Sequence, residues 1–119
     1  MPIRIARKAI GAIILGADKL TSPRAPHRSK EEQTLIDQKT SGLIIYEMLA
    51  CPFCVKVRRE IKRLGLNIER IDVKKNASEM DTLITQGGKF QVPCLRIESQ
   101  QGIEWLYESN DIIKYLREI

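Results

Sequence analysis

The pattern of apolar and polar positions divides the chain into three segments. Residues 1–20 combine a basic start with apolar residues at helical spacing. Residues 21–42 are polar and contain two prolines. From residue 43 onward, short apolar runs alternate with helical patterns. The pattern therefore predicts an N-terminal extension over residues 1–42, formed by a helix and a polar linker, and one compact domain over residues 43–119.

The compact segment contains seven predicted elements. "LIIYEML" and "NIERIDV" have the length and composition of buried strands, and "VPCLRIES" and "IEWLYE" form a hairpin around Gln100–Gly102. The predicted helices are "PFCVKVRREIKRLG" ending at Gly65, "NASEMDTLITQGG" capped by Asn76 or Ser78, and "SNDIIKYLREI" starting at Ser109. The order β-α-β-α-β-β-α predicts an α/β fold, a mixed four-stranded sheet with helices on both faces.

The first 20 residues separate charge from apolarity when projected on a helix at about 100° per residue. One arc holds most of the charged residues, and the opposite arc holds most of the large apolar residues. The charged residues are Arg4, Arg7, Lys8, Asp18 and Lys19, and the apolar residues are Ile3, Ile5, Ile10, Ile13, Ile14 and Leu20. Leu15 breaks the pattern. The segment predicts an amphipathic helix, and two placements stay open: packing on its own domain, or lying in a membrane interface. The polar stretch that follows predicts a short helix around Ser29–Lys39.

Charge and cysteine count narrow the functional classes. The chain has 20 basic and 15 acidic residues, and most of the excess falls before residue 43. Nucleic-acid binding has little support, because the basic residues are not interleaved with exposed aromatics. Three cysteines are too few for a secreted disulfide scaffold, and the apolar run of the first segment is too short to span a membrane. We expect a cytoplasmic protein, with peripheral contact on the inner face of a membrane through residues 1–20 as an option.

The stretch "ACPFC" places two cysteines where the first strand meets the first helix of the domain. Pro52 suits the first helical position, and the N–H groups and dipole of a helix start favour a thiolate at Cys51. Cys51 is therefore the predicted nucleophile, and Cys54, one turn later and more enclosed, the resolving thiol. Tetrahedral zinc would need four ligands, and a second C-x-x-C or a histidine pair is absent, so we expect no metal. His27, in a polar loop, is expected to be solvated.

Three motifs in order, "ACPFC", "QVPCL" and "YESNDII", make residues 43–119 resemble a glutaredoxin of the thioredoxin-fold superfamily. The resemblance implies a thioredoxin-like fold and a glutathione-dependent thiol–disulfide oxidoreductase. Glutathione would be the co-substrate, and disulfide-containing or glutathionylated proteins would be the partners. The Glu108-Ser109 turn is also similar to that of the N-terminal domain of glutathione transferases.

The resemblance also implies a glutathione site made of Phe53, Lys89, Val92, Pro93, Ser109, Asn110 and Asp111. Pro93 would be a cis-proline, and Val92 would offer its backbone to an extended glutathione. The helix start at Ser109 would hold the γ-glutamyl carboxylate, with a neighbouring acidic side chain near its ammonium. Two plainer roles stay open: Ser109 as an N-cap, and Lys89 as a solvated lysine rather than a partner of the glycine carboxylate.

The sequence departs from the family in places. Many glutaredoxins carry a lysine shortly before the first cysteine, where this chain has Glu47 to Ala50, and Phe53 replaces a frequent tyrosine. Cys94 directly after the proline is unusual and is either a small core residue, which we favour, or a third redox thiol. Two alternative functions stay open: a carrier of a [2Fe–2S] cluster held by Cys51 and glutathione, and a membrane-tethered glutathione-binding module.

Overall fold

The computed structural model describes residues 2–21 and 23–119, with side chains for residues 9–17, 19–20 and 23–119. The described elements are α1 (Pro2–Thr21), α2 (Lys30–Thr40), β1 (Leu43–Glu47), α3 (Pro52–Arg63), β2 (Glu69–Asp72), α4 (Ala77–Gly87), β3 (Cys94–Ser99), β4 (Gly102–Leu106) and α5 (Ser109–Arg117). All seven predicted elements of the compact segment are present, and both helices expected before it form as well.

The four strands form one mixed sheet in the order β2-β1-β3-β4. β1 pairs parallel with β2 and antiparallel with β3, and β4 completes the hairpin with β3. The predicted sheet is therefore confirmed, with shorter strands. β1 ends at Glu47 because the chain turns there toward the first cysteine, and β3 begins only after Pro93, which has no N–H to donate to a ladder.

Helices cover both faces of the sheet, as predicted. Alternation along β1 sends Ile45 to one face and Tyr46 to the other. Ile45 packs in the larger core with the apolar sides of α3 and α5, and Tyr46 packs with Leu83 of α4 in a second cluster. Both β1 side chains are almost fully buried. The first strand thus anchors both halves of the core, and the chain leaving it is held firmly.

The polar segment before the domain is anchored on it from Arg28 onward. The Arg28 guanidinium donates to the carbonyl oxygens of Leu64 and Gly65 at 2.5 and 3.1 Å, and the Gln33 amide donates to Gly65 at 3.1 Å. These carbonyls belong to the turn that ends α3, where main-chain acceptors lack helical partners. Gly65 has φ +65°, the left-handed conformation expected of a glycine that stops a helix.

Among its described side chains, helix α1 contacts the domain through the side that carries Gly11 and Ile14. A Cβ built on Gly11 would lie 3.1 Å from the Cβ of Ala50, and Ile14 is half-buried next to it. Ile13 and Leu20 are 69% and 88% exposed. Packing on the domain is thus confirmed for one side of the helix, and membrane contact stays a prediction. The predicted arc positions before residue 9 and at Asp18 lie outside the described side chains.

The described residues include no helix that is both long and apolar enough to cross a bilayer.

An ion cluster ties α3 to α5 on the side away from the sheet. Glu60 is buried and accepts hydrogen bonds from Arg63 on its own helix and from Arg117 of α5, the latter at 3.0 Å. Hydrogen bonds from Arg63 and Arg117 lower the pKa of the Glu60 carboxyl to about 2. A carboxyl whose pKa is depressed in the folded state stabilises the fold above its unfolded pKa and loses that contribution as the pH falls.

We therefore predict that Glu60→Gln lowers the free energy of unfolding at neutral pH by about 1 kcal/mol, a value reduced for the solvent exposure of both arginines. The difference from the unaltered chain should shrink as the pH falls from about 4.5 to about 2, where the native carboxyl becomes protonated. Urea unfolding across this range measures it. Glu104→Gln, on the exposed strand β4, is the matched control and should show no such change. A Glu60→Gln difference that stays constant with pH would contradict the prediction.

Candidate active site

The two cysteines of the "CPFC" stretch open helix α3. Cys51 is the N-cap residue, with extended φ and ψ of −72° and 123°, and Pro52 takes the first helical position. The Cys51 N–H donates to the Met48 carbonyl at 3.2 Å, so the main-chain donor next to the thiol is already satisfied. No acidic residue lies in the first turn of α3. The Cys51 thiol, half-buried, therefore sits at the positive end of the helix without a competing negative charge from that turn.

The Cys54 thiol has a different environment from that of Cys51. Its side chain is 1% exposed, and its thiol is in hydrogen-bonding contact with that of Cys51. Burial raises the pKa of the Cys54 thiol to about 12, and the contact with Cys51 adds to the rise while a backbone hydrogen bond to Met48 opposes it. Cys54 is therefore a protonated thiol at neutral pH, and Cys51 is the one of the pair that a reactant can reach.

A buried ion pair fixes the loop that carries Cys51. The Glu47 carboxylate at the end of β1 is 2% exposed and lies 3.3 Å from an Arg58 guanidinium nitrogen. A second nitrogen of Arg58 donates to the Leu49 carbonyl at 2.6 Å, and Arg70 lies 3.6 Å from the other Glu47 oxygen. Burial raises the pKa of the Glu47 carboxyl, and Arg58 opposes that rise. Arg58 is thus a structural partner of the loop.

A groove of about 530 Å³ runs from the first turn of α3 to the start of α5. Its lining residues are Phe53, Gln91, Val92, Pro93, Glu108, Ser109, Asn110 and Asp111. The Val92–Pro93 peptide bond is cis, as predicted. Phe53 is 61% exposed and forms one wall. Six of the seven residues expected to bind glutathione thus lie around one groove.

Lys89 is the member of that set which does not line the groove. Its ammonium lies 4.4 Å from the centre of the Tyr107 ring, a cation–π contact, and the Tyr107 hydroxyl donates to the Lys89 carbonyl at 3.2 Å. A cation that does contact the start of α5 is Lys56, whose ammonium donates to the Asn110 side-chain oxygen. Sequence reasoning had no signal for this pairing, because Lys56 stands among many basic residues of α3.

The start of α5 differs from the expected N-cap arrangement. The N-cap is Glu108 rather than Ser109, which is already helical and buried. Glu108 has φ +71°, a left-handed conformation that costs a non-glycine residue free energy and is concentrated at functional sites. The Gln91 amide donates to the Glu108 carboxylate at 3.2 Å across the groove. Glu108 and Gln91 were missed as site residues, although both directly precede residues of the predicted set.

The two helices that line the groove, α3 and α5, differ from α2 and α4 in their N-caps. Ser29 caps α2 and Asn76 caps α4 with a side-chain oxygen, each accepting from a main-chain N–H at 3.2 Å. α3 and α5 have no side-chain cap among the described residues. The start of α5 lines the groove with three residues, and the first turn of α3 contributes Phe53. A helix start without a side-chain cap attracts anionic groups, so the α5 end of the groove suits a carboxylate.

Cys94 lies beneath the groove as a core residue. Its side chain is fully buried, directly after the cis-proline, and packs with Tyr46 and Leu83. Burial raises the pKa of the Cys94 thiol to about 11, against the opposing effect of a hydrogen bond with Tyr107. The favoured interpretation as a small core residue agrees with this position. Over residues 2–21 and 23–119, no three His, Cys, Asp or Glu side chains converge as metal ligands would.

Comparison with known proteins gives a family and a fold. Residues 43–101 match the Glutaredoxin family model. Oxidized glutaredoxin 2 from Chlamydomonas reinhardtii is similar in structure, with a TM-score of 0.50 and 20% sequence identity over 74% of this chain and 80% of that one. A second similar structure is an alkylhydroperoxide reductase (AhpF) from Enterococcus faecalis, with a TM-score of 0.44 and 18% identity over 77% of this chain and 45% of that one. No curated protein sequence matches the chain significantly.

The family match begins at the first residue of β1 and includes both cysteines of the "CPFC" stretch and the cis-proline. The structural match extends the similarity to most of the chain and agrees with the order and pairing of the four strands as a thioredoxin-like fold. Residues 43–101 form a glutaredoxin domain, and the chain belongs to the glutaredoxin family of thioredoxin-fold proteins.

Proposed function

We propose that this glutaredoxin is a glutathione-dependent thiol–disulfide oxidoreductase that reduces protein–glutathione mixed disulfides or protein disulfides through Cys51 and Cys54. The family supports thiol oxidoreductase chemistry in general. The observation that carries the finer proposal is the groove in which the uncapped start of α5, the cis-proline and Phe53 of α3 meet, two residues along the chain from Cys51. Glutathione fits such a groove because it is a thiol flanked by two carboxylates, one of them paired with an ammonium.

The chemistry begins at the accessible thiol. The Cys51 thiolate attacks a sulfur of the mixed disulfide, the sulfur–sulfur bond breaks, and the protein leaves as a thiolate that takes a proton from water. Cys51 then carries glutathione in a new disulfide. A second glutathione thiolate attacks that disulfide, so that oxidised glutathione leaves and Cys51 is restored. In this route one free glutathione is consumed for each mixed disulfide reduced, because the other half of the oxidised glutathione comes from the substrate.

Cys54 gives a second route for protein disulfides. When Cys51 holds the substrate protein in a disulfide, the neighbouring Cys54 loses its proton and attacks the Cys51 sulfur, which releases the second substrate thiol. The contact between the two thiols favours this step, and the burial of Cys54 disfavours it because the thiolate form is costly there. Two glutathione molecules then reduce the Cys51–Cys54 disulfide.

The groove offers complementary partners for the ends of glutathione. The main-chain donors at the start of α5 suit the γ-glutamyl carboxylate, and Asp111, exposed in the first turn, suits its ammonium. Val92 leads into the cis-proline and suits main-chain pairing with the extended peptide. Phe53 gives an apolar wall near Cys51. Lys56 does not line the groove but holds the Asn110 side chain, which does.

We predict that Cys51→Ser abolishes glutathione-dependent reduction of a small glutathione mixed disulfide, measured by coupling to glutathione reductase. Cys54→Ser should keep part of the activity, because glutathione can discharge Cys51 directly. Cys94→Ala is the matched control, since a core thiol outside the reaction should be dispensable. Full loss with Cys54→Ser, or equal loss with Cys94→Ala, would contradict the assignment of Cys51 as the sole nucleophile.

We further predict that only one thiol of the reduced native chain reacts rapidly with iodoacetamide at neutral pH. Burial and the raised pKa values of the Cys54 and Cys94 thiols keep them protonated and shielded. Mass spectrometry of timed samples, with peptide mapping, identifies the labelled residue. The unfolded chain is the control and should be labelled at all three cysteines. If Cys54 were labelled as fast as Cys51 in the native chain, the two thiols would have the same reactivity and the prediction would be wrong.

A third prediction concerns the glutathione site. Asp111→Asn should raise the KM for glutathione about tenfold with a smaller change in kcat, because a charge-assisted contact with the ammonium is lost. Asp81→Asn on α4 makes the same chemical change at an exposed position outside the groove, and its KM should stay unchanged. Equal KM values for all three proteins would show that the start of α5 does not bind the γ-glutamyl group.

A further inference from the structure

Helix α1 presents an apolar face that the rest of the described chain leaves uncovered. Ile10, Ile13 and Leu20 are 56%, 69% and 88% exposed. At about 100° per residue they fall within about 80° of one another, and Ile13 lies about 160° from Gly11, the position that touches the domain. The helix therefore turns Ile13 and Leu20 away from the domain, with Ile10 at the edge of the contact.

The composition of this face favours a fluid apolar phase over a shaped protein surface. Between its large residues the sequence places only the small Ala6 and Ala17 on the same arc, so the face is narrow and smooth. The exposed apolar residues of the helix are few, and even with Leu49 of the neighbouring loop they do not form the broad, packed surface of a stable protein interface. A short apolar helix face of this kind has the dimensions of one that lies in a lipid interface.

Charge identifies the type of lipid. In sequence, α1 carries four basic residues and one acidic residue, which are Arg4, Arg7, Lys8 and Lys19 against Asp18. A helix with an apolar face and an excess of positive charge on its polar arc gains energy from anionic headgroups. The same excess gives two copies of this helix charge of the same sign, which disfavours their association.

The apolar face continues onto the domain beside the active site. A groove of about 510 Å³ between α1 and the loop before α3 is lined by Ile10, Leu49 and Cys51, with Lys74 and Lys75 on its border. Leu49 is 39% exposed, and both lysines are exposed. The two lysines extend the positive charge from α1 to the domain. An anionic surface that receives Ile10 therefore also meets Leu49 and the lysines.

We propose that α1 is a membrane-docking helix: Ile10, Ile13 and Leu20 enter the interface of an anionic bilayer, and Lys74 and Lys75 contact its headgroups. The helix lies on the membrane rather than across it, in agreement with its limited apolarity. Because Cys51 lines the same groove as Ile10, docking holds the nucleophile close to the lipid surface. The docking itself does not depend on the proposed redox chemistry.

The test is co-sedimentation of the full-length chain with lipid vesicles at low salt. We expect binding to vesicles of phosphatidylcholine mixed with phosphatidylglycerol and much weaker binding to phosphatidylcholine alone. Ile13→Asp should lower the apparent affinity for the mixed vesicles at least about tenfold, because burial of a large apolar side chain is replaced by a charge. Lys74→Glu combined with Lys75→Glu should lower it at least about fivefold, and high salt should lower it for the unaltered chain.

Leu35→Asp is the matched control, because Leu35 is a 59% exposed leucine on α2, outside the proposed face, and it should leave vesicle binding unchanged. The Ile13→Asp and Leu35→Asp variants are also assayed for reduction of a small disulfide in solution, which should stay unchanged and which separates docking from the proposed enzyme function. Absence of binding to mixed vesicles would overturn the proposal. So would a dimer in solution that Ile13→Asp dissociates, because a second copy would then cover the face. Equal loss of vesicle binding with Leu35→Asp would also overturn it.

Discussion

The buried ion pair between Glu47 and Arg58 is the contact on which the active-site region depends. It joins the end of β1 to the middle of α3, and Arg58 also holds the Leu49 carbonyl of the connecting loop. On its other side, the Glu47 carbonyl accepts the Val73 N–H at 3.0 Å, which links the same point to the chain leaving β2. A buried charge pair is costly to break because the remaining charge has no other partner. The loop before Cys51 therefore has little freedom, and its apolar residues form a fixed surface for α1.

The difference between the two cysteines follows from their positions on one helix. The N-cap residue lies outside the helical turn, near solvent and the unpaired donors, whereas a residue three positions later faces the sheet. Cys51 is consequently half-buried and Cys54 almost fully buried, although both belong to a four-residue stretch. In this arrangement the Cys51 thiol is accessible to a reactant, whereas the Cys54 thiol is in contact with the Cys51 thiol and shielded from solvent.

Much of this fold follows from sequence pattern, since strand and helix periodicities, Pro52 and the cap residues are local signals. The sequence also predicted the cis Val92–Pro93 bond, through the family resemblance. The pairing of Arg58 with Glu47 was not predicted, because on a basic helix one arginine resembles the others until the fold places a carboxylate beneath it. The position of the Lys89 ammonium over the Tyr107 ring depends on a contact across the hairpin. The N-cap role of Glu108 in place of Ser109 depends on the left-handed φ of Glu108. None of these has a local sequence signature.

The anchoring of Arg28 to the end of α3 sets the reach of the N-terminal helix. Between Thr21, where α1 ends, and Arg28 there are seven residue steps, which extend to at most about 25 Å. A tether this short keeps the two parts at an effective concentration on the order of millimolar. A substrate on the lipid surface on which we propose that α1 docks is thus held near Cys51. Weak contact with the domain is then enough, because the search for the thiol is confined to the length of a tether.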